Sequence, residues 1–114
     1  MPKSIPDPIK RFQKNYPQVW DAFTALGSAC HDAEGPLDEK ARRLVKVALA
    51  IGARHEGAVH SATRRAKESG VSAEEIRQVA VLAITTIGWP ASLAAMTWID
   101  DELLPLEKKK KKKN

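Results

Sequence analysis

Two side chains that can exchange protons lie four residues apart in the middle of the chain. Glu56 and His60 belong to an otherwise apolar neighbourhood that follows Gly52. On a helix, residues four positions apart share a face, so the carboxylate and the imidazole can meet. Histidine is the usual proton carrier near neutral pH, and a neighbouring carboxylate can orient or tune it. The spacing therefore predicts an acid–base pair, with His60 as general acid or base and Glu56 as its partner.

Three further residues extend this candidate site. His55 is a third catalytic candidate, although five residues along a helix turn its side chain about 140° away from His60. Arg54 is a candidate anchor for the carboxylate group of a substrate. Trp89, which precedes Pro90, is interpreted either as a core residue or as a wall of the substrate pocket.

The same residues allow two other interpretations. The pair can be an ordinary ion pair near a subunit interface. A zinc site takes three or four ligands, so one helix with two ligands would need His31, His55 or a group from a neighbouring subunit. The spacing also differs from the His-Glu-x-x-His of zinc proteases. We therefore expect no metal and no cofactor.

The composition indicates one globular domain made of helices. The chain has 114 residues, of which 43% are hydrophobic, 29% are charged and 5% are aromatic. We predict a single domain over residues 1–107, with residues 1–16 as an N-terminal arm. No apolar run is long enough for a membrane span, and the first residues lack the apolar segment of a secretory signal. The expected location is the cytoplasm.

Six consecutive lysines, Lys108–Lys113, dominate the net charge of +5, and without them the rest of the chain carries about −1. Like-charged runs repel internally, so we predict a disordered tail over residues 108–114. Such a tail can attach weakly to nucleic acid through phosphate charge. No aromatic residue is interleaved with the lysines, so base stacking is not indicated.

Helical spacing and capping signals predict the elements that position these residues. Pro17 suits the first turn of a helix, Asp38 suits the N-cap of the next one, and Gly52 weakens that helix near its end. Ser72 begins a capping box, and Gly88 ends the helix that follows. One apolar stripe should face a core: Val19, Trp20, Phe23, Leu26 and Cys30. The fold class is all-α, with five to six helices.

One stretch is too apolar for a small monomer. No charged residue lies between Val79 and Met96. A helix that is apolar on all sides must be buried on all sides, and few short helices can do this alone. We therefore predict that the chain forms a homo-oligomer.

The order of three motifs resembles that of the carboxymuconolactone decarboxylase and AhpD-like family. The motifs occupy residues 40–44, 70–76 and 88–90, and the resemblance extends over roughly residues 37–96. It implies an AhpD-like helical fold that assembles as trimers or hexamers. The chain resembles the branch of this family that lacks the Cys-x-x-Cys pair.

The resemblance also indicates which chemistry is missing. AhpD-type members use two cysteines, a histidine and an upstream glutamate, and the corresponding positions hold His55, Ala58, Ala62 and Arg43. Peroxidase activity of the peroxiredoxin type is a remote alternative, because thiol–disulfide turnover within one chain needs two thiols. The single cysteine, Cys30, is interpreted as a buried structural thiol.

Decarboxylase-type relatives also lack the dithiol and use acid–base chemistry without a cofactor. The resemblance therefore implies a lyase-like enzyme that acts on a small carboxylate or lactone, with His60, Glu56 and His55 as the catalytic residues. The alternative is a non-catalytic oligomeric member that serves in binding or assembly.

Overall fold

The computed structural model describes the backbone of residues 5–113 and the side chains of residues 5–109. This part of the chain contains six helices and no strand, which confirms the all-α class. The helices are α1 (Asp7–Asn15), α2 (Pro17–Asp32), α3 (Glu39–Gly52), α4 (Glu56–Glu68), α5 (Ala73–Ile87) and α6 (Trp89–Lys113). None of these helices is both long and apolar enough to cross a membrane.

Several helix ends lie where capping chemistry places them. Pro17 occupies the first turn of α2, where a missing N–H costs nothing. The side chain of Asp38 accepts a hydrogen bond from a backbone N–H in the first turn of α3. Before α5, Ser72 Oγ accepts the Glu75 N–H at 3.1 Å and Glu75 Oε1 accepts the Ser72 N–H at 3.0 Å, which completes the predicted capping box.

Backbone contacts divide the chain into two units between Pro36 and Leu37. In the second unit, α3 packs against α4 and α5, and α6 packs against the same two helices. Its largest buried side chains include Ile51, Ile76 and Ile99, each at most 2% exposed. Burial of each contributes about 1.5–3 kcal/mol. The assignment of residues 1–107 to one domain stays a prediction.

The first unit consists of α1 and α2, and neither helix has a buried residue. Val19, Phe23 and Leu26 are 56–62% exposed, and Cys30 is exposed as well. The predictions that this stripe faces a core and that Cys30 is buried are therefore wrong for the isolated chain. The physical reason is geometric: two paired helices provide no third layer to cover an apolar face.

The second unit also leaves apolar side chains uncovered. Leu49, Val81 and Leu82 are 61%, 53% and 65% exposed, although the helices that carry them contribute other residues to the core. The final helix continues through the lysine run to Lys113, whereas the sequence predicts a disordered tail. Positive charge at a helix C-terminus suits the helix dipole, but repulsion between the lysines opposes it.

Candidate active site

The short connection between α3 and α4 determines where the candidate residues lie. Arg54 has a φ of 55°, a left-handed conformation that is uncommon for a residue with a Cβ atom. The N–H groups of Arg54 and His55 donate to the carbonyl oxygens of Ile51 and Ala50, at 2.9 and 3.3 Å. These bonds satisfy carbonyl groups in the last turn of α3 while the chain reverses towards α4.

Arg54 directs its guanidinium group to the end of another helix. Its Nη2 atom donates a hydrogen bond to the carbonyl oxygen of Ile87, the last residue of α5, at 3.4 Å. A cation is favourable at a helix C-terminus, where carbonyl groups lack partners within the helix. The contact ties the α3–α4 connection to α5. A role of Arg54 as substrate anchor stays a prediction.

His55 serves as the N-cap of α4. Its Nδ1 atom accepts the backbone N–H of Ala58 at 3.0 Å, which leaves Nε2 to carry the proton of the neutral ring. The ring also lies close to Gly57, where an added Cβ would be 3.4 Å from the ring carbon Cε1. This capping contact gives His55 a structural task at the start of the helix.

His60 lies between two carboxylates. Its Nε2 atom is 3.1 Å from Asp101 Oδ2 on α6 and 3.9 Å from Glu56 Oε2 on its own helix. The side chain of His60 is 22% exposed, while those of Glu56 and Asp101 are 58% and 50% exposed. The predicted pair does meet across one turn of α4. The shorter contact, however, is made by a residue 41 positions later in the chain.

Sequence reasoning did not find Asp101. The residue is one of three consecutive acids, Asp100, Asp101 and Glu102, and nothing in that run distinguishes one carboxylate from the others. Only the packing of α6 against α4 decides which of the three reaches His60. The run itself gives no local signal, because three consecutive residues of a helix point in directions about 100° apart and Glu102 of this run is buried.

The three side chains can also hold a metal ion. The ligand atoms of Glu56, His60 and Asp101 all lie within 4.8 Å of one another. One imidazole and two carboxylates match the donor types that zinc and other first-row metals accept. Asp101 thus supplies the third ligand that the sequence could not identify. Exposed carboxylates also occur often without a metal, so the donor set permits an ion without requiring it.

Trp89 begins α6 and is 59% exposed, so its interpretation as a core residue is wrong. The residue follows Gly88, whose φ of 94° turns the chain between α5 and α6. A role of Trp89 in substrate binding stays a prediction.

A further ion-pair cluster fastens α6 to α5. Arg77 lies 2.7 Å from Glu107 and 2.9 Å from Asp100. The hydrogen bond to Glu107 raises the pKa of Arg77 most, Asp100 raises it further, and partial burial lowers it. The guanidinium therefore stays charged at all relevant pH values. The contact with Asp100 also holds α6 against α5 at the residue that precedes Asp101.

Two clefts flank α3. The first, of about 420 Å³, is polar and is lined by Arg43, Ser61, Arg64, Arg65, Glu68 and Ser69. The second, of about 380 Å³, lies between α3 and α5 and is mainly apolar, with Leu44, Val45, Ile51, Val79, Leu82 and Ile87 among its lining residues. The polar cleft shares α4 with His60. Neither of these two clefts is lined by Glu56, His60 or Trp89.

Both the sequence and the fold are similar to those of known proteins. The sequence profile of the carboxymuconolactone decarboxylase family matches residues 17–101, well over half of the chain. The chain therefore belongs to the carboxymuconolactone decarboxylase family.

A solved structure agrees with that assignment. The apo crystal structure of a carboxymuconolactone decarboxylase family protein from Legionella pneumophila has a TM-score of 0.70 and 22% sequence identity, and the match covers 83% of each chain. At this identity the similarity shows the fold alone. A comparison with curated proteins finds no significant match.

Proposed function

We propose that this chain transfers protons on a small carboxylate or lactone without a cofactor, with His60 as the general acid–base. One observation carries the proposal: the partly exposed imidazole of His60 lies between Asp101 at 3.1 Å and Glu56 at 3.9 Å. A histidine held by carboxylates and open to solvent can contact a substrate and change its charge. Family membership adds support for lyase-like chemistry.

The contact with Asp101 indicates which imidazole nitrogen acts. An ionised carboxylate only accepts hydrogen bonds, so Nε2–H donates to Asp101 and Nδ1 keeps the lone pair in the neutral ring. In the proposed step, Nδ1 takes a proton from the carbon next to a substrate carbonyl. The C–H electron pair moves towards the carbonyl oxygen and forms an enolate. The imidazolium then returns the proton to carbon, and the electron pair leaves the oxygen.

The two carboxylates have different parts in this step. Asp101 is a positioning residue, because its hydrogen bond fixes the ring and its tautomer. Glu56, at 3.9 Å, lies beyond hydrogen-bond distance and contributes negative charge near the imidazolium. His55 stands outside this set because its Nδ1 atom caps α4. Positioned acid–base groups of this kind contribute about 10²–10⁴-fold to a rate.

The test is proton exchange rather than the consumption of one guessed substrate. A panel of small lactones and dicarboxylates in D₂O is followed by NMR for deuterium incorporation. We expect His60→Gln to slow the exchange by about 10²–10⁴-fold. His55→Asn is the matched control, since Asn keeps the N-cap and removes an imidazole. Exchange that is equally fast in wild type and His60→Gln would contradict the proposal.

Elemental analysis separates this mechanism from a metal-dependent one. Wild-type protein that exchanges protons without stoichiometric metal, and that is unaffected by a chelator, supports His60 as an acid–base group. Activity that rises with bound metal and disappears on chelation would instead indicate a metal-dependent reaction, with Glu56, His60 and Asp101 as the ligands of the metal.

We also propose that the chain forms a homo-oligomer, a trimer or hexamer as the family resemblance implies. The exposure of Leu49, Val81 and Leu82 supports this, because large apolar side chains on adjacent helices gain free energy when a second copy covers them. The same exposure favours the second candidate function, a non-catalytic oligomeric member for binding or assembly. An oligomer without any proton exchange across the panel would support that candidate.

A further inference from the structure

The polar cleft between α3 and α4 is rich in guanidinium groups. Arg43, Arg64 and Arg65 line it, against a single carboxylate, Glu68. Arginine is suited to carboxylates because its planar fork can donate two parallel hydrogen bonds. A volume of about 420 Å³ accommodates a small organic acid.

The three arginines differ in how firmly the protein already holds them. Arg64 lies 3.3 Å from Glu102, whose side chain is 5% exposed. Arg43 lies 3.8 Å from Glu39, beyond hydrogen-bond distance. Arg65 makes no ion pair with any other side chain within residues 5–109. Thus Arg64 is anchored, while Arg43 and Arg65 retain most of their donors for a ligand.

The cleft is adjacent to the proposed acid–base site. Arg64 follows His60 by one turn of α4, so their Cα atoms are about 6 Å apart along the helix axis. On α6, the partners of these two residues are the consecutive Asp101 and Glu102. The same pair of helices therefore holds both the imidazole of His60 and the guanidinium of Arg64.

We propose that the Arg43–Arg64–Arg65 cleft binds the carboxylate group of the substrate, and that the reacting carbon of that substrate extends towards His60. The second half of this statement rests on the proposed function, while the first half does not. The substrate class is then a small organic acid with a carbonyl or lactone group about one helical turn away from its carboxylate. Arg54, whose guanidinium binds the end of α5, is outside the cleft.

The alternative interpretation of these arginines is a solvated charged surface without a ligand. Glu68 faces the cleft and opposes anions, and arginines on exposed helix faces are common. Two features distinguish the cleft from such a surface. The guanidinium groups come from two different helices, and they outnumber the carboxylate in a shared concave volume.

Binding is tested separately from catalysis, with succinate as the probe. Isothermal titration gives the affinity of the full chain, and ¹H–¹⁵N NMR of the arginine Nε–H groups locates the site. We expect saturable binding, with perturbed signals from Arg43, Arg64 and Arg65. Arg65→Gln should weaken binding by about tenfold or more, as expected for the loss of charge-assisted hydrogen bonds. It removes an exposed side chain, so the fold should be unaffected.

Two variants serve as matched controls. Lys46→Gln removes a cation from the exposed face of α3, and Arg54→Gln removes the anchor that the sequence predicts; both should bind succinate like wild type. The proposal is overturned if wild type shows no saturable binding, or if Lys46→Gln weakens it as much as Arg65→Gln. A loss of succinate binding in Arg54→Gln alone would overturn the proposal and identify Arg54 as the residue that binds the carboxylate. Binding of inorganic phosphate as tight as that of succinate would overturn the assignment to a carboxylate.

Measurements of succinate binding and of proton exchange together separate this proposal from the acid–base proposal. His60→Gln should retain succinate binding, because His60 does not line the cleft. Succinate binding without proton exchange on any panel compound supports the cleft and contradicts the proposed reaction. Proton exchange that depends on His60 but is unaffected by Arg65→Gln supports the reaction and contradicts the cleft.

Discussion

The two clefts beside α3 are nearly equal in volume and opposite in chemistry. Arg43 lines the polar cleft towards α4, and its neighbour Leu44 lines the apolar cleft towards α5. Successive residues on a helix point about 100° apart, so one helix can serve both clefts. Two clefts of similar volume therefore suit different ligands, because their linings differ in charge and polarity. The polar cleft shares α4 with the imidazole of His60, whereas the apolar cleft is lined by Leu82, which is 65% exposed.

Substitutions on the two sides of α3 should therefore have separable effects. Polar-side substitutions should alter binding and catalysis while the subunits remain associated. Apolar-side substitutions should alter association first.

After His60→Gln, the largest effect should come from Asp101→Asn on the polar side. The Asn amide can still hydrogen-bond His60, but it can also donate, so it no longer requires Nε2 to be the donor. The substitution also removes the negative charge of Asp101. We expect the rate of proton exchange to fall by about 10²-fold or more. Steady-state kinetics should assign this loss to kcat, with KM within about twofold of wild type. A larger change in KM than in kcat would show that Asp101 binds substrate instead.

The next effect should come from Leu82→Glu on the apolar side. Leu82 is 65% exposed in the single chain, so a charge there is tolerated in a monomer and opposed in an interface. We expect the dissociation constant of the oligomer to rise by about tenfold or more, as light scattering over a concentration series would report. Ser69→Glu places the same charge in the polar cleft and should leave the molecular mass unchanged. A wild-type chain that is monomeric at micromolar concentration would refute self-association.

A smaller effect separates two neighbouring arginines of the polar cleft. Arg64→Gln removes an ion-pair partner of Glu102, a side chain that is 5% exposed, whereas Arg65→Gln removes no such partner among the described side chains. We expect the free energy of unfolding to fall by about 1–3 kcal/mol for Arg64→Gln. The change for Arg65→Gln should stay within about 0.5 kcal/mol. Urea denaturation monitored by circular dichroism gives both values, and equal losses would contradict the assignment.

The smallest effect concerns the start of α5, the helix whose later residues line the apolar cleft. The backbone N–H of Ser72, and then the ammonium group of Lys40, lower the pKa of Glu75 from its ordinary value of 4.5. A lowered folded pKa means that Glu75 stabilises the fold above pH 4.5, and that this contribution disappears as the pH falls through the folded pKa. Wild type should therefore lose slightly more stability than Glu75→Gln between neutral and acidic pH. Glu74→Gln is the matched control, and an equal response of both variants would contradict the capping role.

Much of the fold could be predicted because its signals are local. The N-cap Asp38, the capping box that begins at Ser72, and the break at Gly88 each depend on hydrogen bonds or backbone angles within a few residues. These signals define where helices begin and end. The apolar stripe of α2 was also visible, but its periodicity could not indicate whether anything covers it.

The candidate site was only half predictable for the same reason. The i,i+4 spacing of Glu56 and His60 brings them together on α4, and residues so close in sequence need no tertiary contact to meet. Arg54 and His55 lie in the short connection between α3 and α4. Their actual partners, the carbonyl of Ile87 and the N–H of Ala58, follow from a left-handed residue that the sequence did not indicate.

The sequence by itself determined the all-α class, the caps at Asp38 and Ser72, the absence of a dithiol and the proximity of Glu56 to His60 on one helix. Each of these depends on residue identity and spacing along one segment. Only the tertiary structure decided that Asp101 makes the shorter contact with His60 and that arginines from α3 and α4 share one cleft. Those outcomes depend on how helices far apart in sequence pack, and the rotation of α6 against α4 selects one carboxylate from three consecutive acids.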